Sequence, residues 1–162
     1  MGVELMTTVT VLSFGYAQPG HPPTAEVTYD LRILLRNPHH DPLLAQMTGL
    51  DQAVYEHVMA TPGAQRLAHH AAATARDAVE DTGKAITIAF GCVGGRHRSV
   101  ALARRTHQLL HQAGIPAETE HCDVDRGLLP AGTHHPTPGK TASPYAPDAA
   151  RSSPRTPRIH DH

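Results

Sequence analysis

Residues 85–90, Ala-Ile-Thr-Ile-Ala-Phe, form an unbroken apolar run rich in β-branched types, and Gly91-Cys92-Val93-Gly94-Gly95-Arg96-His97-Arg98-Ser99 follows at once. A strand apolar in both directions must be covered on both faces, which is the environment of a central parallel strand. A helix then reads from about Ser99 to Ala113, stopped by Gly114 and Pro116. Strand, glycine turn and helix in this order put the turn at the carboxyl end of a sheet, where layered α/β proteins hold their ligands.

The rest of the chain extends this pattern. Thr8–Phe14 and Glu26–Leu31 read as strands, the first ended by Gly15, and Ala117–Val124 reads as a further one. Leu43–Leu50 fits no single period. Asp51 is a candidate N-cap for a helix in which Val54, Val58 and Met59 share a face. Thr61 reads as the cap of the next helix, with Pro62 in its first turn. Ala64, Leu67, Ala68, Ala71, Ala72, Ala75, Ala78 and Val79 make its apolar stripe, and Gly83 its left-handed stop. Strands alternating with helices predict a small α/β layered domain with a mainly parallel sheet and helices on both faces.

That domain is expected to occupy residues 1–129. Seven of the 14 prolines lie in residues 130–162, which hold one Ile and no Leu, Val or Phe. Such a stretch cannot bury enough apolar surface to offset backbone ordering, so a disordered tail is predicted. The tail carries net charge +2 and the preceding 129 residues carry −3. Its Arg-Ser-Ser-Pro-Arg-Thr-Pro-Arg run reads first as a solvated tail and second as a weak basic arm. No apolar run is long enough to span a membrane, and no Lys or Arg precedes Arg32, so neither a membrane segment nor a secretory signal is expected. Two cysteines, Cys92 and Cys122, fit a reducing compartment, and a cytoplasmic location is expected.

The glycine turn has the chemistry of an oxyanion site. A turn opening into a helix directs backbone N–H groups and the positive end of the helix at a ligand. Gly94 and Gly95 leave room for it, and Arg98 offers a planar fork suited to phosphate. His97 offers a second donor, Val93 lines the turn, and Ser99 is a candidate N-cap. Glycine pairs between strand and helix also serve close packing, and cysteine is commonly a small buried residue. The order Cys, Gly-Gly, His, Arg, Ser favours the anion site. The one Gly-Lys-Thr, residues 139–141, has His134 where a Walker A loop needs its first glycine, so P-loop hydrolysis is unsupported.

Cys92, Arg98 and Ser99 also match the Cys-x5-Arg-Ser/Thr signature of the cysteine-dependent phosphatases, in which the cysteine is the nucleophile. Gly91 stands where those enzymes usually carry His, and Asp41, Asp123 and Asp125 are undistinguished candidates for the acid. A wider resemblance runs through Ser13-Phe14-Gly15-Tyr16, Tyr29-Asp30-Leu31-Arg32, Asn37-Pro38-His39-His40-Asp41-Pro42, Met47-Thr48-Gly49-Leu50-Asp51 and Gly91–Val100. In these motifs the chain resembles the RapZ C-terminal domain family of RNase adapter proteins, over about residues 9 to 125.

The resemblance implies a domain whose Cys92–Ser99 loop, with His39, binds a phosphorylated metabolite such as glucosamine-6-phosphate or a nucleotide phosphate. It also implies RNA binding and presentation of RNA to a ribonuclease. The family's kinase-like half with its Walker motifs is not represented in these 162 residues, Val93 replaces the usual Thr, and residues 121–126 are acidic where the family is basic. RNA binding requires phosphate neutralisation, which a body of charge −3 serves poorly. A regulatory binding module is therefore the first reading, an RNA-binding adapter the second and a phosphatase-like enzyme the third. A homo-oligomer, or a separate protein supplying the missing half, is compatible with each.

Arg32 has two readings, a local pair with Asp30 or a reach into the anion site. Asn37-Pro38-His39 is a turn by its chemistry, and Asn37 is a further candidate contact. Thr48-Gly49 reads as the set-up for the helix after Asp51. The histidine pairs do not share a face at metal-ligand spacing, so neither a metal nor another cofactor is expected.

Overall fold

The computed structural model describes residues 8–37 and 41–127. The order of elements is β1 (Val9–Gly15), β2 (Val27–Asp30), α1 (Leu31–Leu34), α2 (Pro42–Ala45), α3 (Gln52–Met59), α4 (Ala64–Thr82), β3 (Ile86–Cys92), α5 (Arg98–Gln112) and β4 (Ala117–His121). The four strands form one sheet in the order β2-β3-β1-β4, and every pairing is parallel. The predicted apolar run is thus an inner strand, and its partner β1 is the other.

Alternation along the strands divides the side chains between two faces. Val9 and Val11 of β1 point with Ile86, Ile88 and Phe90 of β3 into the main core, which also receives α3, α4 and α5. The alanine stripe of α4 is real: Ala64, Ala68, Ala71 and Ala75 are fully buried. α5 contributes Leu102 and Leu110, also buried. The opposite face, expected to carry helices too, is covered differently. Leu12, Phe14 and Ala89 pack there under Tyr16, Ala25 and Cys122. The connection from β1 to β2 supplies much of this cover.

Helix boundaries correct three local expectations. Asp51 does sit before α3, but its side chain accepts from the Thr48 N–H and not from the helix. Thr61 does not cap α4: its hydroxyl donates to the His57 carbonyl, and the N-cap is Gly63 at φ +93°. Ser99 does not cap α5, which begins at Arg98 with His97 as N-cap. β4 ends at His121, three residues short of the expected Val124. Gly83 is the left-handed stop of α4, as predicted. The 130–162 tail lies outside the described residues. Among the described residues no helix is long and apolar enough to cross a membrane.

Candidate functional site at the carboxyl end of the sheet

β3 delivers Cys92 to the end of the sheet, and residues 93–97 turn into α5. Three consecutive carbonyls of this turn are held by the segment after β1. Tyr16 N–H donates to Cys92 O (2.9 Å), Ala17 N–H to Val93 O (3.0 Å) and Gln18 Nε2 to Gly94 O (3.4 Å). These bonds direct the three carbonyl oxygens towards residues 16–18. The N-cap His97 makes no side-chain bond to the helix. Among the described residues the amides of Gly94, Arg96 and Ser99 have no protein acceptor, while Gly95 N–H donates to Cys92 Sγ (3.3 Å). An uncapped helix start with open amides suits an oxyanion.

The predicted side chains come together with different duties. Cys92 is buried, and its Sγ shares a hydrogen bond with Ser99 Oγ at 3.2 Å. Ser99, fully buried in the first turn of α5, therefore faces the thiol and not the helix end. Val93 is buried. Arg98 is only 7% exposed, and its Nη1 donates to the carbonyls of Leu31 (2.9 Å), the first residue of α1, and Leu35 (3.0 Å), its C-cap. Burial lowers its pKa, an effect only partly offset by Cys92 and the Asp30 carboxylate, and an arginine remains cationic throughout. Among the described residues its Nε and Nη2 have no protein acceptor, so part of the fork remains open to a ligand. His97 Nε2 is 2.8 Å from Met47 O, which turns the ring towards the α2–α3 connection.

Arg32 follows the local reading. It clamps Asp30 through Nε (3.0 Å) and Nη2 (2.8 Å) and lies 3.7 Å over the Tyr16 ring. The Arg32 hydrogen bond holds the Asp30 carboxyl below its ordinary range. Asn37 is exposed, and His39 lies outside the described residues. Thr48-Gly49 does shape the approach to α3, and Gly49 N–H donates to Arg96 O. Other basic groups near the loop are engaged by the protein itself: Arg96 holds the carbonyls of Gln46, Val124 and Arg126, and Arg104 that of Gly49. No group of three or more metal-binding side chains occurs among the described residues.

Two residues were not singled out by sequence reasoning. Asp123 is buried beneath the turn, and its Oδ2 accepts from Gly15 N–H at 2.8 Å. His21 Nε2 lies 2.7 Å from the same oxygen, and Arg126 Nε lies 2.7 Å from Oδ1 as an ion pair without hydrogen-bond alignment. Asp123 had entered only as one of three equivalent aspartates, and nothing local marks His21. Gly91 also acquires a reason: a Cβ there would lie 2.4 Å from the Tyr16 ring and 2.5 Å from that of Phe14. A histidine before Cys92 has no room.

The model of the RapZ C-terminal domain family matches residues 7–125, essentially the whole sheet and its helices. Among curated relatives, a nucleotide-binding protein of Sphingopyxis alaskensis is 38% identical over 149 residues, covering 90% of this chain and 43% of that protein. One from Rhodospirillum centenum is 40% identical over 156 residues, covering 93% of this chain and 43% of its own length. One from Rhodospirillum rubrum is 41% identical over 120 residues, 72% of this chain and 37% of that protein. The chain spans less than half the length of these relatives. On this match over residues 7–125 the chain belongs to the RapZ C-terminal domain family.

Proposed function

We propose that the domain is a regulatory binding module that holds the phosphoryl group of a phosphorylated metabolite at residues 92–99. One observation carries this reading: the first turn of α5 is uncapped, and the carbonyls just before it are held away by residues 16–18. The open amides and the remaining Arg98 nitrogens then supply donors to a doubly charged oxyanion. By the family resemblance His39 is a further candidate donor. The relatives' designation as nucleotide-binding proteins supports a nucleotide phosphate, and the family resemblance supports a sugar phosphate such as glucosamine-6-phosphate.

Calorimetric titration with glucosamine-6-phosphate, inorganic phosphate and nucleoside phosphates tests this. Saturable heat with at least one phosphorylated compound, weakened in Arg98→Lys, is expected. Absence of heat with every probe refutes the reading.

A phosphatase-like reading has the Gly95 N–H and Ser99 Oγ contacts to Cys92 Sγ in its favour. Against it, Asp41 caps α2 and Asp123 is buried among three partners, so neither is placed as an acid. Turnover of an aryl phosphate by wild type but not by Cys92→Ser would establish it. Equal turnover by both excludes it. The RNA-adapter reading rests on the family alone, and the internal engagement of Arg96 and Arg104 gives it no added support.

A further inference from the structure

We propose that Asp123 is a positioning residue for the glycine turn, and that His21 fastens the 16–26 connection to it as a strap whose closure shapes the anion cradle. The ligand-dependent part of this proposal rests on the phosphate-binding reading above.

Asp123 comes from the turn after β4, yet its carboxylate joins three separate segments. It receives the Gly15 N–H at the end of β1, the His21 ring from the strap, and Arg126 from its own turn. Its Cβ lies 2.9 Å from where a Cβ on Gly95 would stand, so the Asp123 side chain packs against the turn. A buried carboxylate that loses a partner is left with an uncompensated charge, so its neighbours cannot shift independently of it.

The strap reaches the same turn by a second route. Tyr16, Ala17 and Gln18 hold the carbonyls of Cys92, Val93 and Gly94. Those bonds keep the carbonyl oxygens out of the cradle. His21 anchors the strap further along, its ring packed 5.3 Å from the Phe14 ring centre. Its side chain is 9% exposed, and its Nδ1 is buried with no partner among the described residues. An orphaned buried nitrogen costs free energy that opening the strap would recover through water. Closure is therefore held against a standing cost, the condition for an element that opens locally. A ligand that immobilises the amides of residues 94–99 favours the turn conformation to which the closed strap is bonded. Strap closure must then favour the ligand by the same factor.

The test is amide hydrogen exchange on the full chain, comparing wild type, His21→Ala and His21→Gln, first without ligand. His21→Ala is expected to speed exchange about tenfold or more across 15–26 and, within 93–97, at Gly95, whose N–H is bonded to Cys92 Sγ. His21→Gln, which keeps an N–H donor of similar reach, restores slow exchange in both. If His21→Ala accelerates residues 15–26 and leaves 93–97 unchanged, the strap does not position the turn and the proposal fails. Asp123→Asn serves as a second variant, expected to accelerate 93–97 even where the strap bonds at residues 16–18 persist.

The ligand arm uses inorganic phosphate and glucosamine-6-phosphate. Saturation is expected to slow exchange across 16–26 in wild type, and His21→Ala to bind about tenfold more weakly. Binding by wild type with unchanged affinity in His21→Ala overturns the coupling but leaves the phosphate reading standing. No binding by wild type overturns the phosphate reading, while the ligand-free comparison still decides the positioning role.

Discussion

Replacing Gly95 by alanine measures how tightly three backbone segments meet beneath the candidate site. Gly95 has φ +75°, and an added Cβ would lie 2.6 Å from Gly15 N, 2.9 Å from the Phe14 carbonyl carbon and 2.9 Å from Asp123 Cβ. The left-handed conformation costs an alanine roughly 1–2 kcal/mol. Forcing a methyl into occupied space adds roughly 1–3 kcal/mol, because the obstacles are backbone and a Cβ and not a flexible side-chain end. The expected loss is about 2–5 kcal/mol. At about 4 °C per kcal/mol for a domain of this size, Tm should fall by about 8–20 °C.

The control is Gly83→Ala. Gly83 has φ +66°, but a Cβ there meets nothing within 4 Å. It should lose only the conformational part, about 1–2 kcal/mol. Urea unfolding with an unchanged m value reads both losses on one scale. Equal losses in the two variants would show that the turn is not closely packed on β1 and Asp123, and the described geometry would be wrong.

Three further outcomes follow from the structure. Arg98→Met leaves the Leu31 and Leu35 carbonyls without their donor and should cost about 2–4 kcal/mol in denaturant unfolding; a loss below about 0.5 kcal/mol would mean Arg98 is not structural. Ala71→Leu should overpack the fully buried face of α4 by about 1–3 kcal/mol, whereas Thr74→Leu on its exposed side should stay within about 0.5 kcal/mol, both read by Tm. Burial, followed by the nearby Arg104 charge, lowers the His121 pKa from its ordinary 6.5. The unfolded chain therefore takes up this proton first, and the stability from a neutral His121 is present above about pH 6.5 and lost as pH falls towards the folded value. His121→Gln should flatten the Tm-versus-pH profile between about pH 7 and 5; an unchanged slope would remove His121 as a cause.

Local pattern made β1, β3, α4 and α5 legible. Their signals, an apolar run, a three- and four-step alanine stripe and terminal glycines, are contained within each element. The location of the turn was legible for the same reason. The duties of its side chains were not, because their partners are remote: Arg98 is bonded to Leu31 and Leu35, His97 to Met47, and Asp123 to Gly15 across 108 residues. Ser99 misled because a serine beside a helix start satisfies the capping pattern, although the buried Cys92 thiol offers it a closer partner. Thr61 misled likewise, with Gly63 taking the cap in a conformation threonine rarely adopts. The covering of the second face was illegible too. Leu12 and Phe14 announce that it is buried, but not that Tyr16 and the following loop bury it.

The position of β1 also governs the order in which the molecule can assemble during synthesis. This strand emerges first but is flanked by β3 and β4, and its Ser13 meets His121 across 108 residues of chain. Neither of its edges is satisfied until most of the domain has left the ribosome, so the nascent chain carries an apolar strand with nothing to pair with. A chain cut before Ala117 would leave β1 as a raw edge ready to capture a stranger's strand.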